Sequence, residues 1–207
     1  MYQILSTGSK GNAIIYFGEI LLDCGVSFSL IKPHLAGLKI VLLTHVHKDH
    51  INLSTLKKIQ FERPSIRIGA GEHMKELLTG FKNVDYYKPL SEYLYNEFTV
   101  SPVVLYHDVT NFGYRLKKDG VKIFHATDTS HLNGIEAKGY DFYCIEANYN
   151  EDTVFDVIRE KQSRGEFAHQ RGAINSHLSE QKAMDFFYRN KGENSQLVRL
   201  HISESLI

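Results

Sequence analysis

Thr44-His45-Val46-His47-Lys48-Asp49-His50 places three imidazoles and one carboxylate within six residues, directly after the apolar stretch Ile40 to Leu43. Those donor types suit a borderline divalent cation such as zinc, with manganese as a less selective alternative. In an extended His-x-His segment both side chains point to one side, so His45 and His47 can clamp one ion. The turn that must follow lets Asp49 and His50 face a second. At this chain's His and Asp frequencies, such a run arises by chance on the order of once in a thousand sequences of this length. A solvated polar loop is the bland alternative.

The elements that would position these groups are short. Ile40 to Leu43 reads as a buried strand whose following residues emerge at a sheet edge. Further strands are expected at Tyr2 to Leu5, Ala13 to Phe17, Ile20 to Leu22, Arg67 to Ile68, Val84 to Tyr87, Thr99 to Tyr106, Gly113 to Leu116, Val121 to Ala126, Phe142 to Ala147 and Leu197 to Leu200. Helical patterns cover Leu53 to Gln60, Glu72 to Thr79, Asp152 to Arg164 and Ser179 to Arg189, the last with Ser179 as N-cap and Ala183, Phe186 and Phe187 on one buried face. Strands and helices mixed through both halves indicate an α/β layered fold.

Composition bounds the alternatives. At 207 residues and 43% hydrophobic the chain can bury a substantial core, and a single domain over residues 1–207 is expected. Formal net charge is zero, so no global basic field draws nucleic acid to the surface and any such binding needs a local patch. The two cysteines, Cys24 and Cys144, sit in apolar runs and read as buried reduced thiols of a cytoplasmic protein. With no signal-like start and no apolar run near 18 residues, neither secretion nor membrane insertion is expected.

Other candidate ligands recur at the carboxyl ends of apolar runs: Asp23, His107, Asp128 and His201. Singly, each is more often a hydrogen-bonded structural residue. Jointly with the His45–His50 run they form an ordered series that resembles the ligand series of the metallo-β-lactamase fold, across almost the whole chain. The resemblance implies an αββα four-layer sandwich with two divalent metal ions, zinc or manganese. His45, His47 and His107 would hold one; Asp49, His50 and His201 would hold the other; Asp128 would bridge, and Asp23 would orient ligands without coordinating.

The segments Gly8-Ser9-Lys10-Gly11-Asn12, Leu22-Asp23-Cys24-Gly25, Ile145-Glu146-Ala147-Asn148, Ser176-His177-Leu178-Ser179 and His201-Ile202-Ser203 are similar to the YycJ/WalJ-like branch, associated with DNA exonuclease activity. The last three also resemble ribonuclease Z, which implies Glu146 and His177 as a proton-donating pair. The short span from Asp128 to His177 leaves no room for the inserted domain of β-CASP nucleases, and no counterpart of ribonuclease Z's substrate-gripping arm is present.

The function expected is a binuclear metal-dependent hydrolase, a phosphodiesterase or nuclease with DNA or RNA as substrate. Its activated water would be held with the help of Asp49 and Asp128 and its leaving group protonated by His177. A small ester, thioester or lactone is the alternative substrate, since the same site activates water for acyl transfer. A binding protein with a vestigial site fits less well, because all seven ligands are present. Arg159, Lys161, Arg164, His169 and Arg171 could meet phosphates, diluted by Asp156, Glu160 and Glu166. Tyr86, Tyr87, Tyr93 and Tyr95 could stack on bases but read better as core or sheet residues, and His34, His73, His125, His131 and His169 as structural or solvated ones.

Overall fold

The computed structural model describes residues 1–165 and 174–202. The chain divides into two compact units, Met1–Ser91 and Glu92–Ile207.

The first unit is a six-stranded sheet in sequential order: β1 (Tyr2–Ser6), β2 (Ala13–Tyr16), β3 (Ile20–Leu22), β4 (Ile40–Leu42), β5 (Arg67–Gly71) and β6 (Val84–Tyr87). The first three pair antiparallel, and β3 to β6 pair in parallel. Parallel pairing requires crossovers. The first two are α1 (Phe28–Ile31) with a 3₁₀ turn after it, and α2 (Leu53–Glu62). Asn52 caps α2 by accepting from Thr55 N, and the helix sets Leu56 and Ile59 into the apolar cluster built on Val41, Ile68 and Ala70. The helix expected over Glu72 to Thr79 is instead a 3₁₀ turn, Glu72–Met74, followed by further turns. Successive i to i+3 bonds, such as Lys75 N to Glu72 O and Thr79 N to Glu76 O, hold it. The segment lies between Gly71 and Gly80 and its bonds close mostly at i+3, which keeps it in 3₁₀ and turn geometry.

The second unit repeats the plan. Its sheet runs β12 (Gln196–Leu200), β11 (Phe142–Glu146), β10 (Val121–Ala126), β9 (Asn111–Lys118), β8 (Thr99–Leu105), β7 (Tyr93–Leu94). β7 to β10 are antiparallel neighbours, and β10, β11 and β12 are parallel. Between β11 and β12 lie α3 (Glu151–Ser163) and α4 (Glu180–Asn190). Ser179 caps α4 through Lys182 N, and Ala183 and Phe186 are buried as the spacing predicts. Phe186 stacks on Phe124 of β10, ring centroids 5.3 Å apart.

Within each sheet, taken by itself, the parallel strands end at one edge, the place where open α/β sheets bind ligands. Asp23 follows β3 and His45 follows β4; Asp128 follows β10, Glu146 ends β11 and His201 follows β12. The strand β8 points the same way as β10, which brings His107 to that edge of its own sheet.

Candidate active site

In the first unit the loop after β4 gathers three imidazoles. The His45 ring centroid lies 4.7 Å from that of His47 and 4.1 Å from that of His50. His50 Nδ1 donates to Asp23 Oδ2 at 2.6 Å, which turns Nε2 toward Asp49 Oδ2, 3.5 Å away. Asp23 also accepts from Thr44 N at 2.9 Å, and the Thr44 hydroxyl bridges Asp23 to His45 Nδ1 at 3.0 Å. Asp23 therefore fixes His50 and Thr44 from behind. Burial pushes its carboxyl up, only partly opposed by His50 and Thr44. Burial, helped by the charge of Asp23, also raises the Cys24 thiol to about 12, so this cysteine is an inert core residue.

The loop is fastened from outside. Asn12 N donates to Asp49 O at 2.6 Å and Cys24 N to His50 O at 2.9 Å, while Asn12 Nδ2 lies 2.9 Å from His50 Nε2. Gly25 explains its own presence: a Cβ there would stand 1.8 Å from Asp49 O. His73, read as structural, bonds the Thr44 backbone and so supports the same loop.

In the second unit one carboxylate organises the site. Glu146 is fully buried and accepts four hydrogen bonds: His177 Nδ1 at 2.6 Å and His201 Nδ1 at 2.8 Å on Oε1, Thr129 N at 3.0 Å and Leu178 N at 3.2 Å on Oε2. Burial pushes its carboxyl up, yet the bonds from His177 and His201 win and hold it below the usual carboxylate range. Burial likewise lowers His177, but the bond and charge of Glu146, with Asp128 beside it, raise the imidazole above its ordinary value. Asp128 Oδ1 lies 3.6 Å from His177 Nδ1, and donor atoms of Asp128, Glu146, His177 and His201 all fall within 4.8 Å of one another. His107 donates from Nδ1 to Ser176 O at 3.2 Å, and burial lowers its pKa despite Asp128 and Asp108.

Three of these groups sit on left-handed backbone: Asp23 at φ 60°, Asp128 at φ 56° and His201 at φ 51°. Non-glycine residues adopt that conformation at a cost and chiefly where surroundings enforce it. Asn111 enforces it at Asp128, donating to the carbonyls of Thr127 and Asp128 at 2.8 and 2.7 Å. At His201 the clamp is Asn148, donating to its carbonyl at 3.0 Å. Sequence reasoning gave Asn12, Thr44, Asn111 and Asn148 no role. Asn12, Thr44 and Asn148 stood in quoted motif segments, but Asn111 carried no spacing signal.

Other expectations fare differently. Arg159 and Arg164 of the basic segment pair with Asp156 and Glu160 on their own helix, while His169, Arg171 and Glu166 lie outside the described residues, as does Ser203. Tyr87 is core, and Tyr95 stacks on Phe98 with centroids 5.0 Å apart. No described helix is long and apolar enough to cross a membrane.

The sites' donors are imidazoles and carboxylates only, convergent in each unit and backed by hydrogen-bonded partners, a set that fits divalent transition-metal ions. Comparison with known proteins points the same way. No curated protein sequence matches the chain significantly. Among solved structures, the metallo-beta-lactamase fold protein YhfI from Bacillus subtilis is similar with a TM-score of 0.74 at 15% identity, over 98% of this chain and 86% of that one. The short form of human tRNase Z gives 0.70 at 18%, over 98% and 93%. Zinc-bound PqqB from Methylobacterium extorquens gives 0.70 at 13%, over 99% and 90%. These likenesses show the metallo-β-lactamase fold that the ligand series implied. The family model of the beta-lactamase superfamily domain matches residues 19–202. With its fold, its strand-end donors and nearly its whole length accounted for, the chain belongs to the beta-lactamase superfamily.

Proposed function

We propose that the protein is a binuclear metal-dependent phosphodiesterase or nuclease acting on DNA or RNA, its two units working as one hydrolase domain in the cytoplasm. His45, His47 and His107 would hold one zinc or manganese ion, and Asp49, His50 and His201 the other, with Asp128 shared. When bound, the metals supply an activated water and neutralise charge on the phosphoryl oxygens. The chain's own residues do the rest. The Asp49 carboxylate, which accepts from Asn12 Nδ2 and lies beside His50, would help hold that water. His177 Nδ1 is tied to Glu146, so the proton to be delivered is carried on Nε2.

The contact between His177 and Glu146 carries the reading. An alkoxide leaves a phosphodiester poorly without a proton donor, as it leaves an ester or lactone, whereas a thiolate leaves a thioester unaided, so a buried carboxylate bonded to an imidazole favours the phosphodiester over the thioester. Human tRNase Z, similar in fold, is by name a nuclease of tRNA, and the quoted motifs resemble the YycJ/WalJ-like branch. Labelled single- and double-stranded DNA, RNA and a generic thioester assayed with zinc or manganese decide the matter. His177→Ala is expected to slow nucleic-acid cleavage by about 10²–10⁴-fold. Intact nucleic acids alongside normal thioester turnover in both proteins would refute it in favour of a small acyl substrate.

A further inference from the structure

We propose that a cavity of about 460 Å³ in the second unit, walled by the loop after Asp128 and by α4, receives one unpaired nucleotide of a single-stranded nucleic-acid end. The inference rests on the phosphodiesterase reading and names the form of its substrate.

Two residues of the cavity's lining adjoin the candidate catalytic groups. Leu178, which lines it, donates its backbone N–H to Glu146, and Ser130, which also lines it, follows Thr129, the other backbone donor to that carboxylate. His177 is the residue before Leu178, so the cavity and the candidate proton donor belong to neighbouring positions of the chain. Its size falls in the range that small-molecule pockets occupy, enough for one monomer and far too little for a duplex.

Its lining has the chemistry of a nucleotide rather than of a bare anion. The floor is apolar, with Leu132, Leu178 and Phe186 buried beneath it. Asn133 and Asn175 offer amides of the kind that read base edges. Lys182 and Arg189 are exposed, seven residues and so two turns apart on one face of α4, suited to a phosphate. Their local counter-charges are weak competitors. Lys182 Nζ is 3.9 Å from the partly exposed Glu151, and the Arg189 side chain donates from Nε to the Asp185 carbonyl, although the Asp185 carboxylate also borders the cavity.

An aromatic platform stands at the rim. The His131 ring lies 4.0 Å from that of Tyr106, tilted by 32°, and Tyr106 is 46% exposed. Because His131 Nδ1 accepts from Asn133 N, its proton sits on Nε2 as a donor. The platform is fixed before any ligand arrives: Ser130 N and Oγ donate to Tyr106 O at 2.8 and 3.2 Å, Tyr106 N to Thr129 Oγ1 at 3.1 Å, and Thr129 Oγ1 to His131 O at 2.8 Å. Rigid aromatic faces bind unstacked bases of any sequence, and preorganisation removes the cost of ordering them. A paired base would first have to be pulled from its stack, so single strands are preferred.

The test titrates the full chain, as purified, with thymidine 5′-monophosphate and inorganic phosphate as competitors of a labelled single-stranded phosphorothioate hexanucleotide, read by fluorescence anisotropy. The monophosphate is expected to compete at least about tenfold better than phosphate, and Lys182→Ala and Arg189→Ala each to weaken it by roughly tenfold. Lys191→Ala, outside the cavity, controls for lost charge, and thermal melts confirm folding. Equal competition by phosphate, or variants indistinguishable from Lys191→Ala, overturns the proposal. Cleavage assays keep the two readings apart. Monophosphate binding that depends on Lys182 and Arg189 in a protein that cleaves no phosphodiester sustains the cavity and removes the phosphodiesterase. Cleavage with unchanged KM in both variants does the reverse.

Discussion

Glu146 is a single buried carboxylate serving two imidazoles, and the motif reading had assigned it only one. By holding Nδ1 of both His177 and His201 it fixes their tautomers, so each ring offers Nε2 to its task. The linkage has a definite sign. His177 is raised above its ordinary 6.5, so its contribution to stability is complete below 6.5 and is lost as pH rises through the folded value. Glu146 is lowered from 4.5, so its contribution is complete above 4.5 and is lost as pH falls through the folded value. Urea unfolding of chelator-treated protein should therefore show the pair's full contribution between about pH 4.5 and 6.5, falling on the alkaline side. Glu146→Gln should flatten that alkaline limb and move the His177 imidazole resonance to titrate at lower pH; an unchanged His177 titration would sink the assignment. That Glu146 and His177 belong together was legible from their motif segments. That His201 shares the carboxylate was not, because Glu146 and His201 are far apart in sequence and meet only through the parallel register of β11 on β12.

Among the elements, strands were legible wherever β-branched or other apolar residues run unbroken, as in β3 and β10, whose ends fall where the sequence put them. Elements set by tertiary context were not. α1 has four residues and no side-chain cap bond, and β7 has two residues. The Glu72 to Thr79 segment has a helical pattern, but its backbone closes mostly through i to i+3 bonds. The loop bearing His45 to His50 depends on a neighbouring element more than on its own sequence, since the backbone of Gly25 passes directly against Asp49. Gly25→Ala should therefore displace Asp49 and His50, costing about 1–3 kcal/mol of stability as overpacking does. Zinc affinity, measured by competition with a chromogenic chelator, should fall with it. Retained affinity would show that the loop tolerates displacement.

At the scale of the molecule, each unit is a sheet that begins or ends in antiparallel strands and brings its parallel strands to one ligand-bearing edge. The fold class was readable because the ligand series is ordered along nearly all of the chain. The substrate was not, because a cavity such as the one on α4 is assembled from residues with no common spacing. Elemental analysis of the purified protein should find about two zinc or manganese ions per chain. A chelator should lower the melting temperature and re-addition of zinc restore it, since a ligand that binds only the folded state stabilises it; a melting temperature indifferent to both would remove the metals from the proposal. The left-handed backbone at Asp23, Asp128 and His201 bears on how such a protein changes under selection. Glycine at any of the three relieves the backbone cost while deleting a chemical group. A library sorted for heat resistance alone would drift toward glycine there, and one sorted for turnover would drift back, so these positions mark where durability and chemistry compete.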